Sequence, residues 1–216
     1  MSALSGDLGP DIYMDESPMI VDIFVTGTPE EDALVGDECT ESIYGEDFCS
    51  SSISGLAGDD LLMGDKGPDS LSGDEGDDLL WGGGSSDRLR GGIGKDRLWG
   101  AKGNDNLQGG DDNDKLRGGQ GDDFLRGDWG RDRLWGGEGV DVFILQPGQG
   151  VDRIMDYQDG EDRLGLDSRT QLGNLSVVQR NRKAVIFHND DRLAVLVNVD
   201  ADTITASDFG RIAVVA

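Results

Sequence analysis

No Lys or Arg precedes Lys66, although 16 acidic side chains do. Over the whole chain, 44 Asp and Glu stand against 19 Lys and Arg, a formal charge of -25. Neutralising phosphates needs the opposite sign, so nucleic-acid binding is excluded as the main activity. Hydrophobic residues make up 36% and aromatics 6%, too little for an ordinary core of this length. Histidine is nearly absent: His188 stands alone, so neither an HExxH zinc protease nor a Ser-His-Asp triad can be assembled. His188 follows a strand-like Ala-Val-Ile-Phe run and reads as structural. No apolar run approaches the ~18 residues of a membrane span. With the first base so late, a Sec signal peptide, which needs a basic start before an apolar stretch, is not expected.

Glycine is what the chain has instead, 35 in all, concentrated between Gly55 and Gly150. They keep a period of nine for ten units, beginning at Gly55, Gly64, Gly73, Gly82, Gly91, Gly100, Gly109, Gly118, Gly127 and Gly136. The sixth position is always aspartate: Asp60, Asp69, Asp78, Asp87, Asp96, Asp105, Asp114, Asp123, Asp132 and Asp141. The eighth is always large and apolar, from Leu62 to Phe143. The fourth is glycine except at Ser85 and Asp112. One apolar position in nine does not make an amphipathic helix, and the glycines would each cost a helix about 1 kcal/mol. A six-residue turn followed by a three-residue strand is the alternative, with glycine at positions one, two and four supplying positive φ. Two units then make one coil, with two short sheets facing each other across a ladder of leucines. Each unit buries one side chain, so stability must come from stacked neighbours.

Aspartates two repeats apart would lie roughly 4.8 Å from each other in two ladders. Like charges at that distance repel by about 1 kcal/mol in water and about 3 kcal/mol at an effective dielectric of 20. A hard divalent cation supplies the missing attraction, and calcium suits a site of carboxylates and carbonyls. Asp and Gly are also good turn formers, but Asn would serve a turn equally well, and position six is never Asn.

These repeats resemble the calcium-binding nonapeptide of the RTX (hemolysin-type) proteins, as found in the C-terminal domains of secreted serralysin-type proteases. The resemblance implies an all-β fold, a parallel β-roll with an irregular N-terminal cap and a β-rich C-terminal cap. It divides the chain into an acidic segment 1–26, degenerate repeats 27–54, a roll 55–144 and a capping region 145–216. Weaker units are traced at Thr28–Leu34, Gly36–Tyr44 (Glu41 at the aspartate position) and Gly45–Ser54 (Ser51 there). Gly148–Ile154 and Asp159–Leu164 resemble the family's exit segment.

The resemblance also implies the ligands. Each ion takes carbonyls from positions two and four plus the aspartate of one loop. Carbonyls from positions one and three plus the aspartate come from the loop two repeats on. Along the first ladder Leu56, Gly58 and Asp60 would face Gly73, Glu75 and Asp78. Asp74, Gly76 and Asp78 would face Gly91, Ile93 and Asp96. Next, Gly92, Gly94 and Asp96 would meet Gly109, Asp111 and Asp114, and then Gly110, Asp112 and Asp114 would meet Gly127, Trp129 and Asp132. Along the second, Asp65, Gly67 and Asp69 would face Gly82, Gly84 and Asp87. Gly83, Ser85 and Asp87 would face Gly100, Lys102 and Asp105. Ala101, Gly103 and Asp105 would then meet Gly118, Gln120 and Asp123, and Gly119, Gly121 and Asp123 would meet Gly136, Glu138 and Asp141. That makes about eight Ca2+. Asp152 would complete a ninth with Asp128, Gly130 and Asp132, and Glu41 a poorer tenth with Asp60.

Positions seven and nine should face solvent. One sheet then carries an apolar and cationic column at position nine: Met63, Trp81, Trp99, Arg117 and Trp135. Such faces mark interfaces. Three occupants fit: the chain's own acidic opening segment, a homodimer or protein partner, and an acidic glycan. Leu175–Val178, Ala184–Phe187 and Leu193–Val199 read as capping strands with turns at Asn181 and Asn189–Asp191. Cys39 and Cys49 would form a disulfide in an oxidising compartment, although ideal roll geometry places their loops on opposite sides. The C-terminus Thr205–Ala216 looks like the family's type I secretion signal, and a buried last strand explains it equally well. The reading is a non-catalytic, extracellular calcium-binding module that folds on export. The alternative is an accessory domain of a polysaccharide-modifying enzyme, holding acidic polysaccharide on the Trp/Arg face. A glycosidase pair could be drawn from so many acids, but nearly all are spent at repeat positions.

Overall fold

The computed structural model describes residues 21–35, 49–167 and 170–211. The strands in chain order are β1 (Val21–Thr26), β2 (Ala33–Val35), β3 (Cys49–Ala57), β4 (Leu61–Asp65), β5 (Ser70–Glu75) and β6 (Leu79–Gly83). There follow β7 (Arg88–Ile93), β8 (Arg97–Lys102), β9 (Asn106–Asp111), β10 (Lys115–Gln120), β11 (Phe124–Trp129), β12 (Arg133–Glu138) and β13 (Val142–Leu145). The C-terminal part adds β14 (Asp152–Ile154), β15 (Arg163–Leu166), β16 (Leu175–Gln179), β17 (Lys183–His188), β18 (Asp191–Val197) and β19 (Phe209–Arg211). Odd strands from β1 to β15, then β19, make one parallel sheet, and even strands from β2 to β14 line the other. Each repeat pairs with the second repeat on, as in Leu98↔Leu116↔Leu134, so the chain winds as a solenoid of two facing sheets. The fold is the parallel β-roll.

The strands are longer than the repeat suggested. They run from position seven into position two or three of the next unit. Position eight points inward throughout: Leu62 to Phe143 are at most 1% exposed and form one continuous core. Each buried leucine contributes about 1.5–3 kcal/mol, but only with the rungs above and below in place.

The N-terminal register corrects the sequence reading. β2 pairs directly with β4, as Leu34↔Leu62, and β1 directly with β3, as Val21↔Cys49. Both steps are longer than the regular one within the roll, such as Leu62↔Leu80, so the segment between β2 and β3 holds extra chain. The Gly36–Tyr44 unit lies outside the described residues. At the other end β16, β17 and β18 form an antiparallel meander, and β18 docks parallel on β14. Its turns use Asn181 and Asn189 with φ 57° and 56°, which asparagine tolerates better than most residues. Among the described residues no helix is long and apolar enough to cross a membrane.

Candidate metal sites along the two aspartate ladders

The position-six aspartates are all buried, 5% exposed or less, although each is a carboxylate. One carboxylate oxygen has a fixed partner. The backbone N–H of each ladder aspartate donates to Oδ1 of the aspartate two repeats on: Asp60 to Asp78 at 2.8 Å, Asp96 to Asp114 at 2.8 Å, Asp105 to Asp123 at 2.8 Å. The other oxygen has none. Oδ2 of all ten, from Asp60 to Asp141, is buried without a hydrogen-bond partner, and so is Oδ2 of Asp65. An unpartnered buried acceptor costs about 1–3 kcal/mol, more when charged.

The position-one glycine shows where these oxygens point. A Cβ placed on Gly64 would meet Oδ2 of its own Asp69 and, at 2.6 Å, the carbonyl oxygen of Gly82 one coil on. Gly73 stands in the same relation to Asp78 and to Gly91 at 2.8 Å. Seven units repeat this convergence of a free carboxylate oxygen with a position-one carbonyl. Position one is thus glycine for lack of space and not, as expected, for positive φ, which is confined to positions two and four. Position four combines both reasons, since Gly103 has φ 119° and a side chain there would strike the Ser85 carbonyl.

Ser85 and Asp112 keep the loop conformation of the glycines they replace, with φ 75° and 79°. Gly67 is the departure, the one position-four residue of the ten outside the left-handed region. Pro68 follows it, and a proline biases the preceding residue to extended backbone. Ser85 Oγ donates to the Lys66 carbonyl at 2.8 Å, reshaping the same loop. The expected Gly67 carbonyl ligand is therefore the one whose loop differs from the pattern.

Burial, with neighbouring carboxylates adding to it, holds the ladder acids above the ordinary aspartate value. Asp69, Asp78 and Asp141 are pushed up to about 6, Asp96 and Asp123 to about 7, and Asp87 and Asp114 to about 8. Asp60, Asp105 and Asp132 rise for the same first reason, burial. Asp152 lies well above it, through burial and then the charge of Asp132. These are oxygens in need of a positive charge. Among the described residues no three His, Cys, Asp or Glu side chains cluster, so a cation here must draw on main-chain carbonyls as well. The donor set of single carboxylates with carbonyls fits calcium.

The ladders extend beyond the ten repeats. Asp152 joins the first, its Oδ1 accepting from Asp132 N–H at 3.2 Å. Asp32 stands ahead of Asp60, its N–H donating to Asp60 Oδ1 at 2.7 Å, while Glu41 lies outside the described residues. Ser51 heads the second ladder, donating to Asp69 Oδ1 at 2.6 Å. Asp162 closes it, accepting from Asp141 N–H at 3.1 Å. Sequence reasoning missed Asp162, though Asp162-Arg163-Leu164 repeats the Asp-x-Leu of positions six to eight. Of the expected Cys39–Cys49 pair, Cys49 opens β3 and Cys39 lies outside the described residues.

Position nine forms the expected outer column. Trp81 and Trp99 lie 6.3 Å apart, tilted by 30°, and the Arg117 guanidinium sits 4.9 Å above the Trp135 ring. Met63 and Trp81 are 38% and 44% exposed, so this end of the column is uncovered by any described residue. His188 sits in β17, its Nε2 accepting from Gln171 N–H at 3.4 Å.

Parts of several known proteins resemble this chain. The solved structures like this chain include a subunit of the Azotobacter vinelandii mannuronan C5-epimerase, 25% identical, covering 62% of this chain and 77% of that one at a TM-score of 0.40. The extracellular lipase of Serratia marcescens is 16% identical over 74% of this chain and 39% of its own length, at a TM-score of 0.35. No curated protein matches. The family profile of the RTX calcium-binding nonapeptide repeat matches in four copies, at residues 54–89, 72–107, 81–116 and 108–143. Residues 54–143, with their buried aspartate ladders, thus carry RTX calcium-binding nonapeptide repeats.

Proposed function

We propose that the chain is a secreted, non-catalytic module whose roll winds only when calcium enters between its loops outside the cell. The observation that carries this is the set of ten buried Oδ2 atoms with no protein partner. A cation between successive coils would take Oδ2 of one aspartate, the position-one carbonyl above it and the neighbouring loop carbonyls. Eight ions fit between the in-phase loops, and the pair Asp132–Asp152 offers a ninth. Asp32–Asp60 and Asp141–Asp162 are further candidates at the ends. Eight Ca2+ would bring the formal charge from -25 to about -9. Because the sites exist only in the wound chain, binding energy becomes folding energy. A compartment poor in calcium then keeps the chain unfolded for export, and one rich in calcium folds it. Type I export belongs to this reading. Part of the terminal segment it would use, Phe209–Arg211, also serves as an edge strand on β15.

The lack of catalysis rests on the single histidine and on the employment of the acids as ladder rungs. The Trp81, Trp99, Arg117 and Trp135 column favours a second reading, an accessory domain that holds an acidic polysaccharide. Far-UV circular dichroism and gel filtration of the full chain at pH 7.5, in EGTA and then in millimolar Ca2+, test the main proposal. An expanded chain with little β signal should become compact and β-rich on adding calcium but not magnesium. Full β signal in EGTA would refute it.

A further inference from the structure

Among so many acids, the outer face of the even-numbered sheet is cationic toward its C-terminal end. Position seven places Arg97, Lys115, Arg133 and Arg153 side by side on β8, β10, β12 and β14. All four are exposed, one per rung, about 4.8 Å apart. The row then opens into a groove of about 680 Å3 between β14 and the meander. Arg131, Arg153, Arg180, Lys183 and Arg192 rim it, over a floor that includes Val185, Val195 and half-buried Phe187. With Lys95, which shares a cleft with Arg97 and Lys115, nine of the chain's 19 basic residues stand here.

Among the described residues none of these nine forms an ion pair, and Arg126–Asp128, the pair that does form, lies on the opposite sheet. A single file of like charges repels itself, and among the described residues no ion pair offsets it. The tryptophan column runs parallel to the row, two residues along the same strands, so that Arg97 neighbours Trp99 and Arg133 neighbours Trp135.

We infer that this row and groove bind a single linear polysaccharide of the uronic-acid type, laid along the solenoid axis across successive rungs. A polyuronate carries one carboxylate per monomer, a pyranose is about as long as the rung spacing, and arginine grips carboxylate with two parallel N–H donors. The apolar face of the sugar ring suits tryptophan, which offers a flat apolar surface with a polar edge. A broad polyanion such as duplex nucleic acid would meet the acidic loops beside the row, among them Asp77. The inference deepens the accessory-domain reading and rests on the wound roll, since only pairing in the roll assembles residues as distant as Arg97 and Arg192. The groove itself needs no calcium ligand.

The test uses the full chain saturated with Ca2+ and a galacturonate decamer, too short to gel with calcium. Calorimetry and tryptophan quenching should both report binding that weakens as NaCl rises. Arg133→Glu with Arg153→Glu should lower the affinity about tenfold or more. Arg88→Glu with Arg90→Glu, on the outer face of the other sheet, should leave it within about twofold. Circular dichroism and calcium stoichiometry, measured for every variant, should stay unchanged. No binding by the calcium-folded wild type, or equal loss in both variants, overturns the inference and leaves the calcium reading standing. A single-stranded oligonucleotide of equal length binding as tightly overturns the ligand class. Decamer binding that persists in EGTA would break the dependence on the wound roll.

Discussion

Protons should substitute in part for calcium. Each raised aspartate carries a cost at neutral pH that vanishes when the carboxyl is neutral. Lifting a fully desolvated aspartate from its ordinary value to about 6 is worth about 3 kcal/mol, and solvent screening near the loop surface cuts that to about 1 kcal/mol. The seven ladder aspartates raised to about 6 or more then impose about 7 kcal/mol, within the range of a typical domain's whole stability. Their folded values lie above the unfolded one, so the favourable contribution is complete below about pH 4 and disappears as pH rises through 6 to 8. Oδ2 and the position-one carbonyl of the next coil border the same space above the position-one glycine, as Asp69 and Gly82 do at Gly64, so two acceptors stop competing there once the carboxyl is protonated. The assay is far-UV circular dichroism in EGTA from pH 8 down to pH 5, which stays above the isoelectric point of about 4.1. β signal should grow on acidification without calcium, and the calcium midpoint should move to higher concentration as pH falls. An EGTA-treated chain that is equally unfolded at both ends of this range would refute the reasoning.

Two substitutions probe the loops directly. Gly91→Ala pushes a methyl group into Asp96 Oδ2 and the Gly109 carbonyl, and should cost about 1–3 kcal/mol in the calcium-bound melting transition. Gly173→Ala, which meets nothing within 4 Å, should be nearly silent in the same melt. Asp123→Asn keeps an oxygen for the Asp105 N–H but removes a charge shared by two ions, so calorimetry should find up to two fewer Ca2+ per chain. An unchanged stoichiometry would remove Asp123 from the ligand set.

The roll and its ladders were legible because both are written at a fixed interval: the Leu at position eight and the Asp at position six recur at every ninth place whatever lies between. What depended on pairing was not legible. Counting by nines put Glu41 ahead of Asp60. The pairing of β2 with β4 instead brings Asp32 there, because hydrogen bonds count rungs and not residues. Position-one glycine was ascribed to turn conformation, whereas its reason is an aspartate oxygen from its own unit, visible only in three dimensions. Asp162 was overlooked because the spacing from Asp141 is 21 in place of 18. The basic groove had no linear signature at all, since Arg131, Arg153, Arg180 and Arg192 meet only through the parallel docking of β18 on β14 and the antiparallel meander.

The Oδ1 bonds of the buried position-six aspartates all run in one direction. Every ladder aspartate fastens the main chain of the coil before it, and none fastens the coil after. At position five the direction reverses, Asp59, Asp77, Asn104, Asn113 and Asp122 each accepting from the main chain of the coil after, so only the buried bond of a turn waits for its C-terminal successor. The last two buried acceptors are Asp152 and Asp162, which stand outside the regular repeats and belong to the structure that follows them. Winding that begins on that side closes the buried aspartate bond of each new turn as it is laid down, so the stretch least like a repeat completes the inner file of the repeats.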